Sequence, residues 1–173
     1  MKKLSLLFLM LALIAAPAAF AQFRIDVGFN APMLIGIENL DGPEGDPVEV
    51  PSFIPLPFGQ ISYNMDLGAL SVGAGLRAYT LIIESLAWPC AYVEFDVDPV
   101  VITLSGGGGF FLYFGVLGNG TLDMHMFIPE LMAHFKLGKF TRLGIGGMTF
   151  IGLENQDVFP YIIYGSLQFS FPL

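Results

Sequence analysis

Residues 166–171 read Ser-Leu-Gln-Phe-Ser-Phe, and residues 23–30 read Phe-Arg-Ile-Asp-Val-Gly-Phe-Asn. Both stretches alternate strictly between large apolar side chains and small or polar ones. A period of two belongs to the β-strand, whose successive side chains point to opposite faces. The pattern recurs. Ile61, Tyr63 and Met65 oppose Gln60, Ser62 and Asn64, and Leu70, Val72, Ala74 and Leu76 oppose Ser71, Gly73, Gly75 and Arg77. Phe127, Leu131, Ala133, Phe135 and Leu137 oppose Glu130, His134 and Lys136. A slip of one residue would exchange the two faces, so the pattern specifies register as well as strand.

What lies outside the apolar face follows from composition. Hydrophobic residues make up 54% of the chain and charged ones only 13%, against about 25% charged in ordinary soluble proteins. A water-soluble domain this apolar would associate through its surface, so the apolar rows are expected to face lipid. Residues 100–118 carry no charge and are long enough for a spanning helix. Gly106 to Gly109 argue against one, because each glycine costs about 1 kcal/mol in a helix relative to alanine. The other apolar segments are interrupted every ten residues or so, which suits membrane strands of about 9–11 residues.

Eight strands are predicted, at residues 23–35, 53–65, 69–82, 91–97, 100–114, 125–137, 140–152 and 161–171. The connections alternate between tight turns at "MDLG", "VDP" and "LGK" and longer segments at "ENLDGPEGDPVEV", "ESLAWPC", "GVLGNGTLD" and "ENQDVFP". An even strand number with alternating short and long connections predicts an all-β, antiparallel up-and-down transmembrane β-barrel of eight strands. Ahead of it, Lys2 and Lys3, the apolar run from Leu4 to Ala16 and the small-x-small site Ala19-Phe20-Ala21 read as a cleaved secretory signal peptide. The expected division is therefore 1–21 signal and 22–173 barrel. Cys90 is the single cysteine and is expected to be a buried free thiol. Trp88, beside Pro89, reads as an interface anchor in a loop.

Taken with the closing strand "YIIYGSLQFSF", this architecture resembles the small eight-stranded outer-membrane barrels of the OmpX, OmpA-membrane-domain and OmpW type. The resemblance implies an outer-membrane location in a Gram-negative-type envelope, with lipid as a partner and both termini periplasmic. It also implies recognition of the last strand by the barrel-insertion machinery, with Phe171 as the aromatic signal, although Pro172 and Leu173 follow it.

Charge sorts by place. Inward parity takes four bases, Arg24, Arg77, Lys136 and Arg142, and four acids, Asp26, Glu94, Asp96 and Glu130. These form an expected neutral lumen network, with His134 as a hydrogen-bonded core histidine among them. Arg77 and Glu130 fall at nearly the same depth and are expected to pair. Lys2 and Lys3 leave with the signal, taking the net charge from −8 to −10. The surplus lies in the long connections, at Glu38, Asp41, Glu44, Asp46, Glu49, Glu84, Asp123, Glu154 and Asp157. Such an acidic crown argues against a nucleic-acid partner.

Towards the outside, inward parity becomes apolar. Tyr79, Tyr92, Phe111 and Tyr113 face in, with Met132, Met148, Phe150 and Tyr164. Inward glycines at Gly73, Gly75, Gly107, Gly109, Gly144 and Gly146 leave room below them. These eight large residues are the expected ligand-binding set for a small hydrophobic molecule. The alternatives are a filled lumen in a structural or surface-interaction (adhesin-like) barrel, and a lipid-modifying enzyme built on His125 and Asp123. No catalytic residue, cofactor or metal ligand set is predicted. "SGGGGF" lacks the Lys and Ser/Thr of a phosphate loop, and no clustered ligands suggest a metal.

Overall fold

The computed structural model describes residues 21–39, 48–49, 55–80, 83–116, 118–152 and 158–173. Eight strands make the barrel: β1 (Ala21–Asn39), β2 (Leu56–Asp66), β3 (Leu70–Thr80), β4 (Glu84–Val97), β5 (Val100–Gly115), β6 (Gly118–Lys136), β7 (Thr141–Thr149) and β8 (Val158–Pro172). Each pairs antiparallel with the next, and β8 returns to β1 from Arg24↔Pro172 to Asn39↔Val158, closing the sheet. Two-residue ladders add Val48–Glu49 to β1 and Ile151–Gly152 to β6. Closure satisfies the edges that an open sheet would expose. The architecture is the predicted all-β eight-stranded barrel, and the segment considered as a spanning helix is β5.

Residues 67–69, 98–99 and 137–140 connect strands at one end, here called the lower end, where β1 starts and β8 finishes. The register follows the parity of the sequence. Asp26 is 1% exposed and its neighbour Val27 40%, and the contrast between Glu130 and Leu131 is 3% against 56%. At the lower end the outward rings gather in pairs, Phe23 edge-on to Tyr63 and Phe140 stacked on Phe171. An apolar band edged by aromatic rings is the exterior of a barrel that sits in lipid.

Strand ends at the upper rim differ from the expectation. β4 begins at Glu84 and β6 at Gly118, so most of "ESLAWPC" and "GVLGNGTLD" is strand, and only residues 81–83 and 116–117 separate the paired strands. The alternation of connection lengths therefore holds at two of the four upper connections. Pro89 suggested a loop, but it sits where the β4–β5 ladder shifts between Ala87 and Cys90, a place where a missing N–H costs little. The β3–β4 ladder runs on past it through Arg77↔Trp88 and Leu76↔Pro89. The glycine run of β5 meets a second irregularity, between Gly108 and Gly109. Their φ values of 115° and 87° suit glycine and strain other residues.

Candidate functional site

The lumen divides into three levels. At the bottom, β1, β4, β7 and β8 converge on two carboxylates. Arg24 Nε donates to Asp26 at 2.8 Å, while its two terminal nitrogens donate to Glu94 at 3.2 and 3.0 Å. Arg142 approaches the same Glu94 carboxylate at 2.8 and 3.1 Å. Gln168 and Ser170 add donors to Asp26 at 2.9 and 2.6 Å. Lys136 reaches Asp96 at 2.5 Å, closer to solvent. Planar guanidinium forks matched to carboxylates are the arrangement in which buried charge is best compensated.

The middle level is the predicted pair. Arg77 donates to Glu130 and, from Nε, to Gln60 at 2.7 Å. Glu130 also accepts from Ser105 at 2.8 Å and from the Tyr164 hydroxyl. Three strands beyond the pair itself therefore contribute side chains to hold it. Packed with this level is one apolar cluster of Trp88, Phe111, Ile128, Met132, Met148 and Tyr164, in which Ile128 lies above Glu130 on β6 and Met132 below it.

The top level is a cavity of about 350 Å³ that reaches the rim. Its wall includes Tyr79, Tyr113, Met148, Phe150 and Tyr164 from the predicted set, together with Leu56, Leu86, Trp88 and Ile162. Asn30, Pro32, Glu84 and Ser85 complete it. The volume lies within the range of ordinary small-molecule pockets.

Several expectations need correction. Tyr92 does not join the cavity: its hydroxyl meets Ser62 at 3.1 Å and Asn64 at 3.3 Å, and its ring lies 5.1 Å from the Arg24 guanidinium carbon. Parity assigns a face but not a depth, and Tyr92 is only two residues above Glu94. Phe111 and Met132 do not border the cavity; they pack in the apolar cluster that Trp88, Met148 and Tyr164 share with its wall, and Met132, expected towards the outside, lies below Glu130 on β6. Trp88 is not an interface anchor. It is 6% exposed and stacks on Tyr79 with centroids 5.4 Å apart. The space at two of the expected inward glycines is already filled: a Cβ at Gly73 would run into the Tyr92 ring, and one at Gly146 into that of Tyr164, while Gly109, past the ladder shift, is exposed.

His134 is 1% exposed, but neither ring nitrogen has a hydrogen-bond partner. Its inward neighbours on β6 are Met132 and Lys136, Lys136 turns to Asp96, and the residue paired with it on β7 is Gly144. The expected hydrogen bond is therefore not made, although Arg142, Glu94, Asp26 and Arg77 lie near enough to act on the buried ring electrostatically. Glu84, expected in a loop, is on β4 and lines the cavity. His125 is exposed on β6; the Asp123 side chain and Asp41, Glu44, Asp46, Glu154 and Asp157 lie outside what is described. Cys90 is a buried free thiol.

Sequence reasoning missed Asn30 and Gln60 as working lumen residues although both have inward parity, because neither is charged nor aromatic. Trp88 and Leu86 were missed because Pro89 hid their strand.

No family model matches the chain, and no curated protein matches it. Among solved structures it is similar to the N-terminal β-barrel domain of Pseudomonas aeruginosa OprF, at 11% identity and a TM-score of 0.45. It is also similar to Neisserial surface protein A (12%, TM-score 0.46) and to Ail, the attachment invasion locus protein of Yersinia pestis (10%, TM-score 0.41). Each likeness covers 87% of this chain and 99% of the other. The likeness is one of fold, and the closed eight-stranded antiparallel barrel stands on this chain's own strand pairing.

Proposed function

We propose that the protein is exported, sits in an outer membrane with its lower end towards the periplasm, and takes small hydrophobic molecules into its upper lumen. The observation that carries this reading is the cavity of about 350 Å³ walled mainly by Tyr79, Trp88, Met148, Phe150, Ile162 and Tyr164. Below it the Arg77–Glu130 pair and the Arg24–Asp26–Glu94–Arg142 network fill the barrel, which supports a binding pocket with a floor over an open pore. In this reading the outward Leu167, Phe169 and Phe171 of β8 meet lipid and present the last strand to the insertion machinery.

Membrane placement is tested on the exterior. Leu131→Arg puts a charge on a residue that is 56% exposed on the lipid side and costs about 2–4 kcal/mol at the bilayer midplane. The variant is expected to lose outer-membrane partition and the heat-dependent gel mobility of a closed barrel. Recovery of the native protein as a soluble periplasmic monomer would contradict the placement. Binding is read from Trp88, the chain's only tryptophan, which lies in the cavity wall. Titrating bromobenzene into the protein in lipid nanodiscs is expected to quench Trp88 saturably. Emission that falls only in proportion to the bromobenzene in the lipid would return the protein to the structural-barrel reading.

A further inference from the structure

Several side chains in the cavity wall carry a polar end, yet the surface they turn to the cavity is almost wholly carbon. A tyrosine or tryptophan has an apolar body and a polar tip, and here the tips are tied back into the protein. The Tyr79 hydroxyl accepts from Asn30 Nδ2 at 2.7 Å and lies beside Arg77. The Tyr164 hydroxyl donates across the lumen to Glu130. Trp88 turns its pyrrole edge to Gly107 on β5, where a Cβ would stand 2.7 Å from Cδ1 and 2.8 Å from Nε1. At the rim the Tyr113 hydroxyl engages the Glu84 carboxylate, which packs against Gly115. Asn30 borders the cavity, but its Oδ1 is itself buried. The wall presents ring faces and methylene groups and withholds its donors and acceptors.

We infer that the cavity selects ring-sized molecules that carry no hydrogen-bonding group, hydrocarbons and halocarbons, and disfavours their hydroxylated analogues. This rests on the pocket reading above and narrows it to a ligand class. The volume of about 350 Å³ is more than twice the ~150 Å³ in which a dry apolar site holds benzene, so a molecule of this size enters whole. A hydroxyl brings one donor and two acceptor positions. In water or among lipid headgroups these are satisfied, whereas inside the cavity no wall atom answers them, and a polar group buried without a partner is costly. Selection of this kind comes from where the wall hides its polar atoms, since Tyr79, Tyr164 and Trp88 could each have offered one.

The test uses two brominated probes of one shape, para-bromotoluene and para-bromophenol, which differ in a methyl against a hydroxyl and quench Trp88 on contact. Affinities are measured at neutral pH on the full mature protein in lipid nanodiscs and referred to each probe's concentration in the lipid phase. The toluene is expected to bind on the order of tenfold more tightly than the phenol, the penalty of one hydroxyl buried without a partner. Met148→Gln keeps a long unbranched side chain in the wall and adds an amide. Checked for folding by its heat-dependent mobility, it is expected to narrow the ratio by raising the affinity for the phenol. Ile162→Thr, which adds a hydroxyl to the same wall, is the second variant, and the comparison in the native protein decides alone if neither folds. Equal affinities in the native protein, or a tighter phenol, would overturn the inference and leave the apolar pocket standing. A ratio that both folded variants leave unchanged would overturn it as well, because the wall would not be what sets the preference. Absence of saturable quenching by either probe would overturn both the inference and the pocket reading.

Discussion

The two ends of one lumen are built by the same alternation of side chains yet come out physically opposite. In the lower half Glu94 is shared by Arg24 and Arg142, and Asp26 receives donors from Arg24, Gln168 and Ser170. In the upper half aromatic rings, methionine and aliphatic side chains make most of the wall, with a cavity of about 350 Å³ among them. Buried charges must be neutralised within hydrogen-bond reach, so their side chains extend until they touch and the space closes. Rings need only contact, their geometry is stiff, and strands that bring several to one level can leave a gap that no short side chain fills. Packing is thus dictated below and permitted above.

That contrast can be broken most forcefully at the bottom. Glu94→Ala leaves two guanidinium groups without their shared carboxylate and is expected to cost about 3–5 kcal/mol, read as a lower denaturant midpoint in lipid vesicles. A loss below about 1 kcal/mol, typical of exposed pairs, would mean that water reaches the network and the lower lumen is not closed.

The boundary between the halves is tested next. Arg77→Ala strands Glu130 and is expected to cost a similar amount, less whatever Ser105 and Tyr164 retain for the carboxylate. Adding Glu130→Ala should restore part of the loss. A double variant as unstable as the two singles together would show that the pair does not act as a unit.

The smallest effect belongs to the top. Phe150→Ala removes a half-buried ring from a wall that already borders empty space, so about 1 kcal/mol is expected, below the range for a fully buried apolar side chain. A loss as large as that of Glu94→Ala would mean that the upper lumen is packed like a core.

Face and partner were legible in the sequence because lipid makes the two parities chemically unlike. A charge at Arg77 or Glu130 has only one tolerable direction, and two opposite charges at one depth in a narrow barrel have few other places to go. Depth was less legible. Tyr92 has the inward parity of Tyr79, and only the ladder Tyr92↔Gly73 sets it beside Asn64 and Arg24. Strand ends were obscured where a local rule was overruled, as at Pro89, whose missing N–H coincides with a ladder shift. The glycines misled for a related reason: Gly73 and Gly146 do make room, but rings from neighbouring strands occupy it. His134 escaped because a partner was inferred from charges on its own strand, and those charges turn to other strands.

The central claim is that the lumen is accessible above the Arg77–Glu130 pair and filled below it. Cysteine labelling tests this directly in a Cys90→Ala background, which removes the only native thiol. Ser85 lines the cavity, and Ser62 lies 1% exposed beside Tyr92. A small water-soluble maleimide is expected to label Ser85→Cys in the folded barrel and to leave Ser62→Cys unmodified until the protein is unfolded. Labelling of both at one rate, or of neither before unfolding, would contradict the account.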